Sequence, residues 1–198
     1  MRKAFVVWFL VLGISASLWA QNFLDKKVVK FGETVPDFEL EDTTGTKHRL
    51  SQYRGQVVMI HFWSATCPFV VRYDGRLKEI TNDYRDREVV VLGIDSNSNE
   101  TVDQIRDVAG SRAVNYPILI DPKNQVADQF GAIATPHVYV VDRQGQLIYE
   151  GAVDDQGWSE LGQVSQTYAR DALEAALAGT PVSHPETNTV GCAVKRAF

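Results

Sequence analysis

The stretch from Val57 to Tyr84 constrains this chain more than any other. Val57–Trp63 is a near-continuous apolar run of the length and character of a strand buried on both faces, and it breaks off in the small residues Ser64, Ala65 and Thr66 before Cys67-Pro68. Pro68 suits a first helical position, where its missing N–H costs nothing. Phe69, Tyr73, Leu77, Ile80 and Tyr84 then recur at three- and four-residue spacing, which predicts a helix with one apolar face. The pattern leaves one sulfur at a helix N-terminus just past the carboxyl end of a central strand. Unpaired N–H groups and the helix dipole favour a thiolate there, making Cys67 a nucleophile near neutral pH. The plain alternative is an inert cysteine packed as a small hydrophobe.

Only two cysteines occur, Cys67 and Cys192. The chain opens Met-Arg-Lys, continues through an apolar stretch interrupted by Gly13 and Ser15, and turns polar at Gln21-Asn22, so residues 1–20 read as a secretory signal peptide cut after Ala20. Left uncleaved, the same segment would be a membrane anchor. Export to a periplasmic or extracellular compartment permits disulfides, and two thiols have one internal pairing, closing a loop of about 125 residues. As a purely structural bridge it would contribute about 4–5 kcal/mol by loop entropy. Cys192 lies in the last seven residues, where a tail can move. The formal net charge of −5 becomes −7 once Arg2 and Lys3 are removed, which gives no electrostatic reason to bind nucleic acid or anionic lipid.

The remaining pattern is that of a single α/β domain. Thr44-Gly45 between short alternating runs predicts a hairpin, Glu88–Asp95 a second buried strand, Thr101–Ser111 a helix, Tyr116–Ile120 a short strand, and Gln125–Phe130 a helix closed by Gly131. A strand, the turn Asp142-Arg143-Gln144-Gly145 and another strand follow, and a last helix runs from about Trp158 to Ala178, stopped by Gly179 and Pro181. The order argues for a mixed sheet, parallel at first and closed by an antiparallel hairpin. The segmentation is signal 1–20, linker 21–34, domain 35–180, and a tail 181–198 carrying Cys192.

His-Phe-Trp-Ser-Ala-Thr-Cys-Pro at 61–68, Ala-Thr-Pro-His-Val-Tyr-Val-Val-Asp at 134–142, Leu-Ile-Tyr-Glu-Gly-Ala-Val-Asp-Asp at 147–155 and the tail through Gly-Cys-Ala-Val-Lys resemble the thioredoxin-like superfamily, in its redoxin or alkyl hydroperoxide reductase/thiol-specific antioxidant branch. The resemblance implies a thioredoxin-like fold, a central mixed β-sheet flanked by helices, with an N-terminal β-hairpin extension. It also implies a cis Thr135-Pro136 turn facing the reactive sulfur, with the Thr135 backbone free to pair with a bound chain. An ordinary trans loop proline is the alternative.

The departures carry as much information. Dithiol members of the superfamily use Cys-x-x-Cys, whereas this chain has Cys67-Pro68-Phe69-Val70, so Cys67 needs another thiol to resolve a mixed disulfide. A peroxidase needs one thiolate and a later resolving thiol, since a sulfenic acid condenses with a second thiol to a disulfide. Ser64 sits where peroxiredoxins place a hydroxyl residue; Ile60 stands where that motif has proline, and no activating arginine can be assigned, Arg72 being a candidate by proximity only, with a solvated helix charge as its alternative. Cys192 is the expected resolving thiol, with a structural bridge or free thiol as alternatives. His137 follows the proline expected to face Cys67 and can donate to a thiolate, His61 reads as a satisfied core residue, and Trp63 and Phe69 either shape a partner surface or fill the core. Cys67 and His137 lack the further ligands zinc requires, so no metal site is expected, and no organic cofactor is implied because the sulfur itself carries the electrons.

The sequence therefore reads as an exported thiol-based oxidoreductase, reducing hydroperoxide through Cys67 and Cys192, with an external thiol protein as reductant. Thiol–disulfide exchange on protein substrates is the enzyme alternative, and a redox-inactive thioredoxin-fold binding module the other.

Overall fold

The computed structural model of the chain describes residues 28–157 and 163–197. The expected signal segment and its cleavage point lie outside them. Among the described residues no helix is long and apolar enough to cross a membrane.

The thioredoxin-like α/β fold is built on β3 (Val57–Trp63), which is buried along its whole length. Its neighbours cover both edges. β4 (Val89–Asp95) pairs parallel on one side and β7 (His137–Val141) antiparallel on the other. β5 (Ile118–Ile120) and β8 (Leu147–Gly151) complete the order β5-β4-β3-β7-β8. The mixed sheet matches the expected parallel start and antiparallel close. The separate two-stranded ribbon of β1 (Glu39–Glu41) and β2 (Lys47–Arg49) is the hairpin anticipated at Thr44-Gly45, where Gly45 takes φ +86°.

Period-two alternation divides the core into two layers. Val57, Met59 and Trp63 of β3, with Val138 and Val140 of β7, face α1 (Pro68–Tyr84), α2 (Val102–Ser111) and α4 (Tyr168–Ala178). Val58, Ile60 and Phe62, with Tyr139 and Val141, face α3 (Gln125–Phe130) and the N-terminal segment around Val35, Phe38 and Leu50. The helix ends follow the expected chemistry. Thr101 accepts from the Gln104 N–H at α2, the Asp121 carboxylate accepts three N–H groups at the start of α3, and Gly131 and Gly179 close α3 and α4 in left-handed conformation.

Three expectations are corrected. The last helix begins at Tyr168 rather than near Trp158: residues 158–162 lie outside the description, but 163–167 are not helical. There the backbone pairs elsewhere, Asp155 N–H with Gln166 O at 3.2 Å and Ser165 N–H with the Asp155 carboxylate at 3.0 Å. The strand expected from Tyr116 starts at Ile118, because Pro117 lacks the N–H a ladder needs. The tail is also held rather than loose: Cys192–Ala193 forms β9, antiparallel to β6 (Ala134–Thr135), and Val194 is buried in the second core layer.

Candidate active site

Cys67 is the N-cap residue of α1, with φ −79° and ψ 119°, and its carbonyl accepts the first helical bond from Val71 N–H at 3.2 Å. The side chain is left at the open end of the helix, beside the cis Thr135-Pro136 bond. Its Sγ lies 3.1 Å from the Thr135 carbonyl oxygen and 2.6 Å from Cys192 Sγ. Cys67, Thr135, Pro136 and Cys192 are thus brought together as anticipated. With the tail seated, Cys67 is only 1% exposed.

The two thiols are driven apart in acidity. Burial pushes Cys67 up, but hydrogen bonds from the Cys192 thiol, the Thr135 side chain and the N–H groups of Val70 and Cys192 outweigh it, so its pKa falls below the ordinary thiol value. Cys192 moves the other way: burial raises it, and so do its hydrogen bond to Cys67 and the Cys67 charge. The acidities of the two sulfurs are thus displaced in opposite directions across one contact, Cys67 becoming the more acidic of the pair.

The loop before the nucleophile is organised by a residue the sequence reading overlooked. The Glu100 carboxylate accepts from Ala65 N–H at 2.7 Å, Thr66 N–H at 3.0 Å, Ser64 Oγ at 2.7 Å and Thr66 Oγ1 at 2.5 Å. Ser64 therefore points to Glu100 and makes no hydrogen bond to the sulfur. Burial raises the Glu100 pKa, but its Asp95, Thr66, Ser64 and Ala65 partners outweigh that and keep it ionised. Burial, and after it the Glu100 carboxylate, push neighbouring Asp95 up to about 9, so it is protonated at neutral pH. Arg112 closes the other side, donating to Ala65 O at 2.8 Å, lying 5.8 Å over the Trp63 ring and pairing with Asp74 at 3.6 Å. The signal for Glu100 was positional: functional groups gather where loops leave the carboxyl ends of parallel strands, and β3 and β4 are adjacent there.

The other candidates are not among the hydrogen-bond partners of the sulfur. His137 shares a face with Phe62 and Tyr139, its Nδ1 is 3.0 Å from the Tyr139 hydroxyl, and burial lowers its pKa to about 4, so it is a neutral ring in the second core layer. Trp63 is fully buried beneath α1 and offers no surface to a partner. His61 is a core residue but not a satisfied one: neither ring nitrogen has a hydrogen-bond partner, and burial lowers its pKa to about 3. Its ring meets Tyr116 edge-on at 4.9 Å. Arg72 donates to Gly157 O at 3.2 Å and packs over Phe69.

Among known proteins, the model of the AhpC/TSA family matches residues 31–150. The chain belongs to the AhpC/TSA family. This AhpC/TSA chain is 30% identical over 147 residues to Thiol-disulfide oxidoreductase ResA of Geobacillus kaustophilus, covering 74% of this chain and 83% of that one. The ResA of Geobacillus thermodenitrificans is 28% identical over 145 residues, 73% of this chain and 82% of that one. A Mycobacterium tuberculosis protein named as a peroxiredoxin is 28% identical over 127 residues, 64% and 79% of the two chains. Among solved structures, a protein from Sinorhizobium meliloti superimposes with a TM-score of 0.79 at 28% identity, covering 86% of this chain and 97% of that one. The AhpC/TSA chain is accordingly a thiol-based oxidoreductase of thioredoxin-like fold.

Proposed function

We propose that this protein catalyses thiol–disulfide exchange on polypeptide substrates, with Cys67 as nucleophile and Cys192 as resolving thiol. The observation that carries the reading is the 2.6 Å approach of the two sulfurs with opposite shifts in acidity. The tail supplies, from 125 residues away, the second thiol that Val70 fails to supply within the helix. The Cys67 thiolate attacks a substrate disulfide, and Cys192 then attacks Cys67, releasing the reduced substrate; an external dithiol protein regenerates the pair. The relatives named ResA favour this chemistry over peroxide reduction, which the sequence alone had put first. The engagement of both Ser64 and Thr66 hydroxyls by Glu100 weighs the same way, since neither is left to orient a peroxide at the sulfur. Thr135 and Pro136 would form the edge against which the substrate chain lies. Export, with residues 1–20 as the signal and an oxidising compartment as destination, fits a pair of cysteines used in this manner.

The test compares reduced wild type and Cys192→Ser by stopped-flow with hydrogen peroxide and with a protein disulfide, followed by mass mapping. Turnover of the protein disulfide by wild type, a trapped Cys67 mixed disulfide in the variant, and peroxide oxidation no faster than free cysteine are expected. Fast peroxide oxidation without disulfide turnover would return the peroxidase reading.

A further inference from the structure

We propose that β9 is an internal copy of the partner strand: the groove beside Cys67 takes an extended polypeptide whose cysteine follows a glycine, and it holds either that partner or the protein's own tail. The inference rests on the exchange reading and adds to it the sequence preference of the substrate and the order of events.

The tail lies as a bound strand would. Thr135 faces Cys192 and Ala134 faces Ala193 in an antiparallel ladder, which puts the tail's sulfur opposite the nucleophile. The approach is so close that a Cβ on Gly191 would sit 2.1 Å from the Thr135 carbonyl oxygen and 2.7 Å from its carbon. Backbone atoms of a core-anchored strand cannot yield as a flexible side chain would, so only glycine fits before the cysteine. Any chain docking in this register meets the same carbonyl, and the restriction passes to the substrate.

Mutual exclusion follows from the same contacts. The tail is pinned upstream by Thr187 N–H to Glu150 O at 3.0 Å and Thr189 Oγ1 to Pro136 O at 2.8 Å. Downstream it is pinned by Val194 N–H to Ile133 O at 3.1 Å, Lys195 N–H to the Asn97 side chain at 3.0 Å and the Arg196–Asp128 ion pair at 2.6 Å. The residues between these pins cover Cys67, so a substrate strand enters as they leave. Attack by Cys67 on the substrate disulfide forms a Cys67–substrate bond and expels the other substrate sulfur as a thiolate, which takes a proton. Return of the tail brings Cys192, its proton given up to solvent, onto the Cys67 sulfur as a thiolate. The Cys67–Cys192 bond forms, the remaining substrate sulfur leaves as a thiolate, and the two electrons of the pair end on the substrate. Resolution and product release are then one movement.

Two measurements on the full chain test this. In reduced Cys192→Ser, peptides carrying Gly-Cys-Ala or Val-Cys-Ala as mixed disulfides with thionitrobenzoate are offered to Cys67. Capture of the glycine peptide about tenfold faster, after normalising to free cysteine, is expected from a contact worth one decade; equal rates overturn the preference. In the second, Gly191→Val is added to Cys192→Ser, with circular dichroism to check the fold, and iodoacetamide labelling of Cys67 is timed. Labelling should quicken about tenfold as the tail is unseated, and an unchanged rate overturns the exclusion. If the doubly substituted, readily labelled protein captures neither peptide, the exchange reading itself fails.

Discussion

The carboxylate of Glu100 receives the Ser64 hydroxyl at 2.7 Å across 36 residues of sequence, tying the loop after β4 to the loop that delivers Cys67. Glu100→Ala strips the acceptor from two backbone N–H groups and two hydroxyls at once. The group is half buried, so part of the loss is recovered by water. A destabilisation of about 2 kcal/mol is expected in urea unfolding, together with slower Cys67 alkylation at a given pH as the nucleophile's loop loses its brace. Wild-type stability and alkylation in Glu100→Ala would show that the loop holds itself.

Asp95 behind it works against the fold as pH rises. A carboxyl raised from 3.8 to about 9 contributes stability fully below pH 4 and loses it progressively as pH climbs through 9, because the folded state keeps a proton that the unfolded chain gives up. Asp95→Asn removes that titration while retaining an oxygen for the Asn97 N–H, which Asp95 accepts at 2.8 Å. The variant should be more stable than wild type by about 1–3 kcal/mol near pH 8 and flatter between pH 4 and 9. Parallel pH–stability curves for the two proteins would contradict this.

On the acid side the sign reverses. His137, lowered from 6.5 to about 4 by burial, binds its proton in the unfolded chain first, so stability falls as pH drops from 6.5 towards 4. His137→Gln keeps a partner for the Tyr139 hydroxyl and should make that limb shallower by up to about 3 kcal/mol. Denaturant midpoints at pH 7 and pH 4.5 measure it. The buried, unpartnered His61 adds a second loss of the same sign, extending to about pH 3.

Removing the donor to the nucleophile should show in its acidity. Cys192→Ala deletes the thiol that lowers Cys67, leaving burial less opposed. The pH midpoint of Cys67 alkylation is expected to move upward relative to Cys192→Ser, whose hydroxyl can still donate. Identical midpoints would place the source of the acidity in the helix end alone.

The frame was legible because it is written locally. A buried apolar strand, a proline at the first helical position and two glycine turns each act within a few residues, and β3, α1 and both hairpins emerge from them. What was missed depends on the parity of strands and on distant partners. His137 was assigned to the sulfur because it follows Pro136, but side chains alternate across a sheet, and one step along β7 carries the ring to the opposite layer. Trp63, which the sequence leaves between a partner surface and the core, is in the core with the buried face of α1. Glu100 and the seating of the tail are pairings between segments far apart in the chain, and nothing periodic in Gly191-Cys192-Ala193-Val194 announces a strand.

The distance along the chain between the two sulfurs also has a biosynthetic side. Cys67 emerges 125 residues before Cys192, an interval on the order of 10 s at ordinary elongation rates. Throughout that interval the newborn polypeptide carries the Cys67 thiol without its mate. Wrong attachments to other thiols in the same compartment are the expected error when elongation stalls, and labelling arrested chains that end short of residue 192 would count them.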